Sequence, residues 1–215
     1  MSPAAEPSPA EEFMGRPVLG FVSAAAWRDW LAGEHASSAG LWLKVPKKDC
    51  PEPGVGYAEA LDEALCYGWI DGQKRPLDEH HWLQGFSPRK ARSRWSKINC
   101  GKAEALIAAG RMRPAGLLEV ERAKADGRWD SAYEAQSTAE VPADLQAALD
   151  ANPAAAEFFA QLNRTNRYAV LYRVQEPKRP ATRAARIEKF VAMLEKHETI
   201  HPVAPARKAA ATPEE

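Results

Sequence analysis

The chain has 215 residues, a mass of 23.6 kDa and a formal net charge of zero, because 29 basic residues balance 29 acidic ones. Hydrophobic residues make up 45% and charged residues 27%, ordinary values for a globular protein, so a wholly disordered chain is excluded. The zero net charge argues against a nucleic-acid binder that works through bulk charge, and no apolar run approaches the roughly 18 residues that a membrane-inserted helix needs.

Both ends of the chain lack the apolar residues that a folded core needs. Residues 1–14 and 203–215 are rich in Pro, Ala, Ser and Glu, a composition that predicts disordered tails. The N-terminal segment has neither the basic start nor the apolar stretch of a secretory signal. The three cysteines form neither a disulfide framework nor a zinc motif. We therefore expect a cytoplasmic protein with reduced thiols.

The N-terminal part, residues 15–133, mixes the helical and the strand periodicity. Ser23 is placed to cap a helix with an apolar face of tryptophan and leucine. Residues 40–45 alternate along the chain as a strand with one buried face does, and residues 57–68 return to the helical period and end at Gly68. This part therefore contains both helices and strands.

Two further strands are predicted after Gly68, at residues 69–71 and 80–86, with a turn at residues 74–79 between them. Strands that a turn connects usually pair, so Trp69 and Trp82 are expected on neighbouring strands. Together with residues 40–45 they predict a small three-stranded antiparallel sheet, packed by helices on one face.

The pattern after residue 96 is helical to the end of the fold. Residues 134–145 form a polar connecting segment, and residues 146–202 a helical C-terminal part that we expect to pack on the first. Leu65 and Phe190 are predicted core residues. Helix starts are predicted at five positions: Pro114, Pro142, Pro153, Thr165 and Thr182. The predicted fold class is α+β and mostly helical.

A basic loop follows the last predicted strand and is the first candidate site. Its members are Arg89, Lys90, Arg92, Arg94 and Lys97, with Trp95 among them. Ser96 and Asn99 are capping residues, so a helix is predicted to start near one of them. The amide groups of that first turn, together with Arg89 and Arg94, would then form a site for a small anionic ligand. Asp71 or Asp78 would fill this site in the free protein. A second interpretation stays open, in which the arginines only hold the loop to the neighbouring hairpin.

Tryptophan on the predicted strands supports two interpretations as well. Trp69 and Trp82 can belong to a sheet face covered by aromatic side chains. They can instead line an aromatic pocket beside the basic loop, where a flat or anionic ligand would bind.

Other chemistry-bearing residues lack the partners that a reaction or a metal needs. Cys66 lies at the end of a predicted helix, where the dipole raises the pKa of a thiol, so we interpret it as a core residue and not as a nucleophile. His80 and His81 are adjacent on a strand and point to opposite faces, so no metal site is predicted. No common nucleotide, zinc or hydrolase motif occurs, so no cofactor and no catalytic residue is assigned.

Several long motifs resemble one family. They are YAEALDEALCYGWIDGQ, FSPRKARSRWSKIN, GRMRPAGL, NRYAVLYRV and PATRAARIEKFV. In this order they resemble the YdeI/OmpD-associated family, also called bacteriocin-protection proteins, over nearly everything from Trp27 to Pro202.

The resemblance implies a non-enzymatic stress-response or binding protein, with a role in envelope stress or in resistance to antimicrobial peptides. An outer-membrane porin is implied as a partner by the family name alone. Such proteins are often described as periplasmic, and this chain departs from that pattern because its N-terminus does not resemble a signal peptide. The alternative is a module that binds a small molecule, a phosphate or a nucleotide, or an enzyme, using Asp71, Arg89 and Trp95.

Overall fold

A computed structural model describes residues 12–134, 139–176 and 179–202. The chain divides into two units, residues 1–132 and residues 133–215, each held together by its own contacts. The two units are therefore described one after the other.

Most of the predicted tails lie outside the described residues, namely residues 1–11 and 203–215. Glu12 and Phe13, which the predicted N-terminal tail included, form a strand. Of the predicted connecting segment, residues 135–138 also lie outside the description, and its last residues begin a helix at Ala143.

One sheet is the centre of the first unit. Its order across the sheet is β1-β2-β3-β5-β4, with β2 parallel to β3 and all other neighbours antiparallel. In chain order the strands are β1 (Glu12–Phe13), β2 (Arg16–Gly20), β3 (Leu41–Pro46), β4 (Trp69–Pro76) and β5 (His81–Pro88).

The predicted three-stranded antiparallel sheet is wrong, because the sheet has five strands and is mixed. The prediction missed β1 and β2. A two-residue strand carries no periodicity, and β2 is a short run followed directly by the alanine-rich start of a helix. That helix forms the crossover between β2 and β3, and parallel strands require such a crossover.

The first hairpin depends on two residues with left-handed backbone. Met14 has φ of 51° and Gly15 has φ of 70°, which is the combination that a two-residue turn between antiparallel strands requires. The turn places Phe13 edge-on to Trp42 on β3, with ring centroids 5.4 Å apart. The register of β1 is therefore fixed by the turn and by this aromatic contact.

Four helices in the described part of the first unit complete its core. They are α1 (Ala24–Glu34), α2 (Tyr57–Cys66), α3 (Lys97–Ala108) and α4 (Pro114–Ala125). Ser23 caps α1 as predicted, since its hydroxyl accepts a hydrogen bond from the amide of Ala26. Leu65 is buried in this core, which confirms the prediction for that residue. The other large side chains at the centre are Trp27, Leu31, Leu41, Leu43, Trp69 and Phe86.

The described part of the second unit is helical and has a core of its own. Its helices are α5 (Ala143–Asp150), α6 (Pro153–Gln161), α7 (Arg164–Gln175) and α8 (Pro180–Glu195). Phe190 is buried among Leu145, Leu149 and Leu171, as predicted. Among the residues described in either unit, no helix combines the length and the apolar character that crossing a bilayer requires.

Candidate functional site

An open pocket of about 700 Å³ lies at one end of the sheet in the first unit. We call it the basic pocket. It forms where β3 ends, β4 ends and β5 begins, since Pro46 pairs with His81 and Pro76 pairs with Trp82. The lining residues are Pro46, Lys47, Lys48, Lys74, Arg75, Pro76 and Trp82.

A β-bulge determines which face of β4 carries Lys74. Asp71 pairs with Phe86 and Lys74 pairs with Gln84, so three steps on β4 match two on β5. Directly paired residues of antiparallel strands lie on the same face, and without the extra residue Lys74 would lie on the other one. The side-chain Nε2 of Gln84 donates to the carbonyl oxygen of Gly72 at 2.9 Å, which satisfies a backbone acceptor at the bulge.

As a result, Lys74 lies over the aromatic wall of the pocket. Its Nζ is 3.9 Å from the centroid of the Trp82 ring. Trp82 is half-buried and also packs against Tyr57, with ring centroids 5.8 Å apart. The indole therefore presents an apolar surface with a cation on it at the pocket wall.

Two of the other cations of the pocket, Lys47 and Arg75, are held by neutral groups. Lys47 Nζ donates to the carbonyl oxygens of Asp78 at 2.7 Å and Glu79 at 3.0 Å. Arg75 donates to the side-chain oxygen of Gln73 at 2.8 Å. Within the part of the chain that the structure describes, none of the four pocket cations forms an ion pair with a carboxylate. Four like charges around one pocket repel one another, and a bound anion would relieve that repulsion.

The predicted site in the basic loop is formed differently from what the sequence suggested. The predicted helix start is confirmed, because Ser96 caps α3 and accepts a hydrogen bond from the amide of Asn99 at 3.1 Å. Arg89 is 7% exposed, and its guanidinium carbon lies 3.5 Å from the centroid of the Trp95 ring. It donates to the carbonyl oxygen of Arg94 at 3.2 Å. The structure therefore brings Arg89, Arg94 and Trp95 together and places Ser96 with Asn99.

The two acidic residues that were expected at this loop accept hydrogen bonds from other groups. The carboxylate of Asp71 accepts a hydrogen bond from the hydroxyl of Tyr57 at 2.8 Å. Asp78 lies in the turn between β4 and β5, where it accepts from the amides of His80 and His81. That turn is separated from Arg89 by the whole length of β5, eight residues or roughly 26 Å at 3.3 Å per residue.

Trp69 and Trp82 lie on paired strands, as predicted, but at opposite ends of the ladder. Trp69 pairs with Pro88 and Trp82 pairs with Pro76. Trp69 is buried in the core, and its indole N–H donates to the carbonyl oxygen of His35 at 3.0 Å. The two rings therefore do not share a pocket: Trp69 belongs to the core and Trp82 to the basic pocket.

Sequence analysis missed the cations of the basic pocket. Lys47 and Lys48 are adjacent after β3, and Lys74 and Arg75 are adjacent in β4. Each pair by itself is an ordinary pattern for a protein surface. Only the pairing of both strands with β5 brings the two pairs together.

The described ranges do not contain the arrangement of side chains that a metal ion needs. Within them, no group of three or more His, Cys, Asp or Glu side chains is arranged to hold an ion.

Two family models match the chain, one in each unit. Residues 19–119 match a domain of unknown function (DUF8412). Residues 138–197 match the family described as "Bacteriocin-protection, YdeI or OmpD-Associated", which confirms the predicted resemblance over that segment. No curated protein and no solved structure matches the chain significantly.

Proposed function

We propose, for a chain whose residues 138–197 carry a domain of the bacteriocin-protection, YdeI or OmpD-associated family, that the first unit binds an anionic small molecule in the basic pocket. The observation that carries this proposal is the convergence of Lys47, Lys48, Lys74 and Arg75 on one open pocket, with no carboxylate paired to them within the described ranges. Clefts lined by one sign of charge attract ligands of the opposite sign.

The chemistry of the lining indicates the class of ligand. Arg75 offers a planar fork that matches a phosphate or a carboxylate, and Lys48 and Lys74 offer flexible point charges. Trp82 adds an apolar wall that the ammonium of Lys74 covers in the free protein. A small ligand that combines a ring with phosphate or carboxylate groups fits this lining. Its anionic group would bind the ammonium of Lys74, and its ring would then contact the indole face that Lys74 covers in the free protein.

Isothermal titration with inorganic pyrophosphate tests the charged part of this proposal. We expect saturable binding by the wild type that weakens about tenfold in Lys74→Gln and in Arg75→Gln, since a hydrogen bond to a charged group contributes about 1.5–3 kcal/mol. Lys189→Gln is the matched control, because it removes the same charge from an exposed position on α8. Equal affinity in all four proteins would contradict the proposal.

A second function is favoured by the family match and concerns the second unit. We propose that the protein contributes to protection against bacteriocins, the role for which the matching family is named. In that unit an open groove of about 390 Å³ is lined by one face of α7, including Tyr168 and Tyr172, together with Glu176 and His201.

Growth of a bacteriocin-sensitive strain tests this second function. Expression of the full chain should raise the bacteriocin concentration that inhibits growth, relative to an empty vector. Tyr172→Ala, which removes one wall of the groove, should reduce the effect, and Lys74→Gln should not. No protection by the full chain would contradict the assignment.

A further inference from the structure

We propose that Cys50, His81 and Asp78 form a nucleophilic thiol site that accepts acyl groups from small esters. Cys50 Sγ lies 3.4 Å from Nε2 of His81, and Nδ1 of the same ring lies 3.2 Å from Oδ1 of Asp78. A nucleophile within reach of a base, with the base oriented by a third group, is the arrangement that nucleophilic catalysis requires. Sequence spacing gave no sign of it, because Cys50 is 31 residues from His81.

The local fold holds each of the three residues in place. His81 is the first residue of β5 and pairs with Pro46, the last of β3. Cys50 lies in the turn that follows β3, where its amide donates to the carbonyl oxygen of Lys47 at 3.1 Å. The amide of Lys47 in turn donates to the carbonyl oxygen of His80 at 2.8 Å, which ties the cysteine turn to the histidine.

Asp78 is suited to orient the imidazole. Burial acts to raise the pKa of its carboxyl, but hydrogen bonds from the backbone of His80 and His81 and from the His81 ring bring that pKa below its ordinary value. Asp78 therefore stays charged near neutral pH and accepts the Nδ1 proton of His81, which leaves Nε2 to take the proton of the thiol. Other charged residues on these segments are Lys48, Asp49 and Glu79, together with Lys47, whose Nζ donates to the carbonyl oxygens of Asp78 and Glu79.

The other two cysteines provide internal controls. Cys66 is 1% exposed and Cys100 is 8% exposed, and burial raises the pKa of each thiol to about 11. Cys50 is half-buried and, of the three, is the one that the described structure places against an imidazole. A reaction at a thiol of this protein should therefore occur at Cys50.

The acyl transfer balances with these groups alone. His81 takes the thiol proton as Sγ attacks the carbonyl carbon of the ester, a carbon–sulfur bond forms, the carbon–oxygen bond breaks, and the imidazolium returns the proton to the leaving alkoxide. Water then attacks the thioester while His81 takes one of its protons, and Cys50 leaves as the thiolate and is reprotonated. The sum is an ester and water converted to an acid and an alcohol.

This site does not include the aromatic wall of the basic pocket. His81 and Trp82 are neighbours on β5, so their side chains point to opposite faces of the sheet. Lys47 is common to both places, because it lines the pocket and its Nζ donates to the carbonyl oxygen of Asp78. The proposal itself does not rest on anion binding.

Acetylation by p-nitrophenyl acetate tests the proposal on the full chain. We expect release of p-nitrophenolate and an acetyl group on the peptide that contains Cys50, both absent in Cys50→Ser. His81→Asn should slow acetylation at least about tenfold, since general base catalysis contributes about 10²–10⁴-fold. Asp78→Asn should slow it as well, because the imidazole is then less well oriented.

Two matched variants make the result decisive. His80→Asn changes the exposed neighbouring histidine and should leave the acetylation rate unchanged, and Cys66→Ala should do the same. Circular dichroism of each variant shows whether the fold is retained. Acetylation on Cys66 or Cys100, or a rate in folded His81→Asn equal to that of the wild type, would overturn the proposal.

Discussion

Some charged side chains in the described ranges form ion pairs, and the cations of the basic pocket do not. Glu63 is 4% exposed and accepts a hydrogen bond from Arg111 at 2.8 Å, with Arg28 at 3.7 Å. Lys102 contacts Asp62 at 2.6 Å. The cations of the basic pocket form no such ion pair within the described ranges, which is why they, and not the arginines that hold helices together, are assigned to a ligand.

The pH dependence of stability tests the ion pair between Asp144 and Arg183. Arg183 donates two hydrogen bonds to Asp144, at 2.5 and 2.8 Å, and these bonds hold the pKa of the Asp144 carboxyl below its ordinary value. The folded pKa lies below the unfolded one. The stability that the pair contributes is therefore present above the unfolded pKa and is lost as pH falls through the folded pKa.

We expect Asp144→Asn to lower the free energy of unfolding at pH 7 by about 0.2–1 kcal/mol, because the carboxylate is 45% exposed and solvent screens the pair. The difference from the wild type should narrow as pH falls below about 4, the pKa of an aspartate in an unfolded chain. Urea denaturation at several pH values measures it. Asp150→Asn, at the exposed end of α5, is the control, and a difference that stayed constant with pH would refute the linkage.

Among the elements, the sheet shows which features the sequence could predict. Strands β3 and β5, the first residues of β4 and the cap of α3 at Ser96 depend on residues within a few positions of one another, and the local sequence predicted them. The end of β4, from Lys74 to Pro76, was predicted as part of a turn and is strand. The bulge between Asp71 and Lys74 and the parallel pairing of β2 with β3 depend on register between distant segments. The pocket cations were missed for the same reason, since each pair is unremarkable until the sheet forms.

The close packing of α4 against the end of α2 can be tested by a substitution at Gly116. A Cβ atom at Gly116 would lie 2.4 Å from the carbonyl oxygen of Cys66 and 2.7 Å from that of Leu65. Replacing glycine by alanine inside a helix ordinarily stabilises it by roughly 0.5–1 kcal/mol. At Gly116 we expect the opposite sign, a loss of about 1–3 kcal/mol, because the two helices would have to move apart.

Gly101 is the matched control for this substitution. It lies in the interior of α3, is exposed, and has no atom within 4 Å of the position that a Cβ would take. Gly101→Ala should therefore raise the midpoint of thermal unfolding, whereas Gly116→Ala should lower it. Stabilisation by both substitutions would show that α4 does not approach α2 as closely as described.

For the molecule as a whole, the division at residue 132 separates the two family matches. The domain of unknown function lies in the first unit and the bacteriocin-protection domain in the second, each with its own hydrophobic core. The basic pocket belongs to the first unit, so the proposed anion binding and the proposed protection against bacteriocins can be tested separately. The resemblance predicted from Trp27 to Pro202 is confirmed over residues 138–197, and residues 19–119 match a different family model. The pocket could be recognised only from the fold.

The central claim is that the basic pocket, and not the loop around Arg89, binds the anion. The indole N–H signals of the seven tryptophans in a ¹⁵N-labelled sample report on both places during titration with pyrophosphate. We predict that the Trp82 signal shifts saturably while the Trp95 signal does not, since Trp82 lines the pocket and Trp95 stacks on Arg89. A saturable shift of Trp95 with Trp82 unchanged, or no shift of either, would contradict the account.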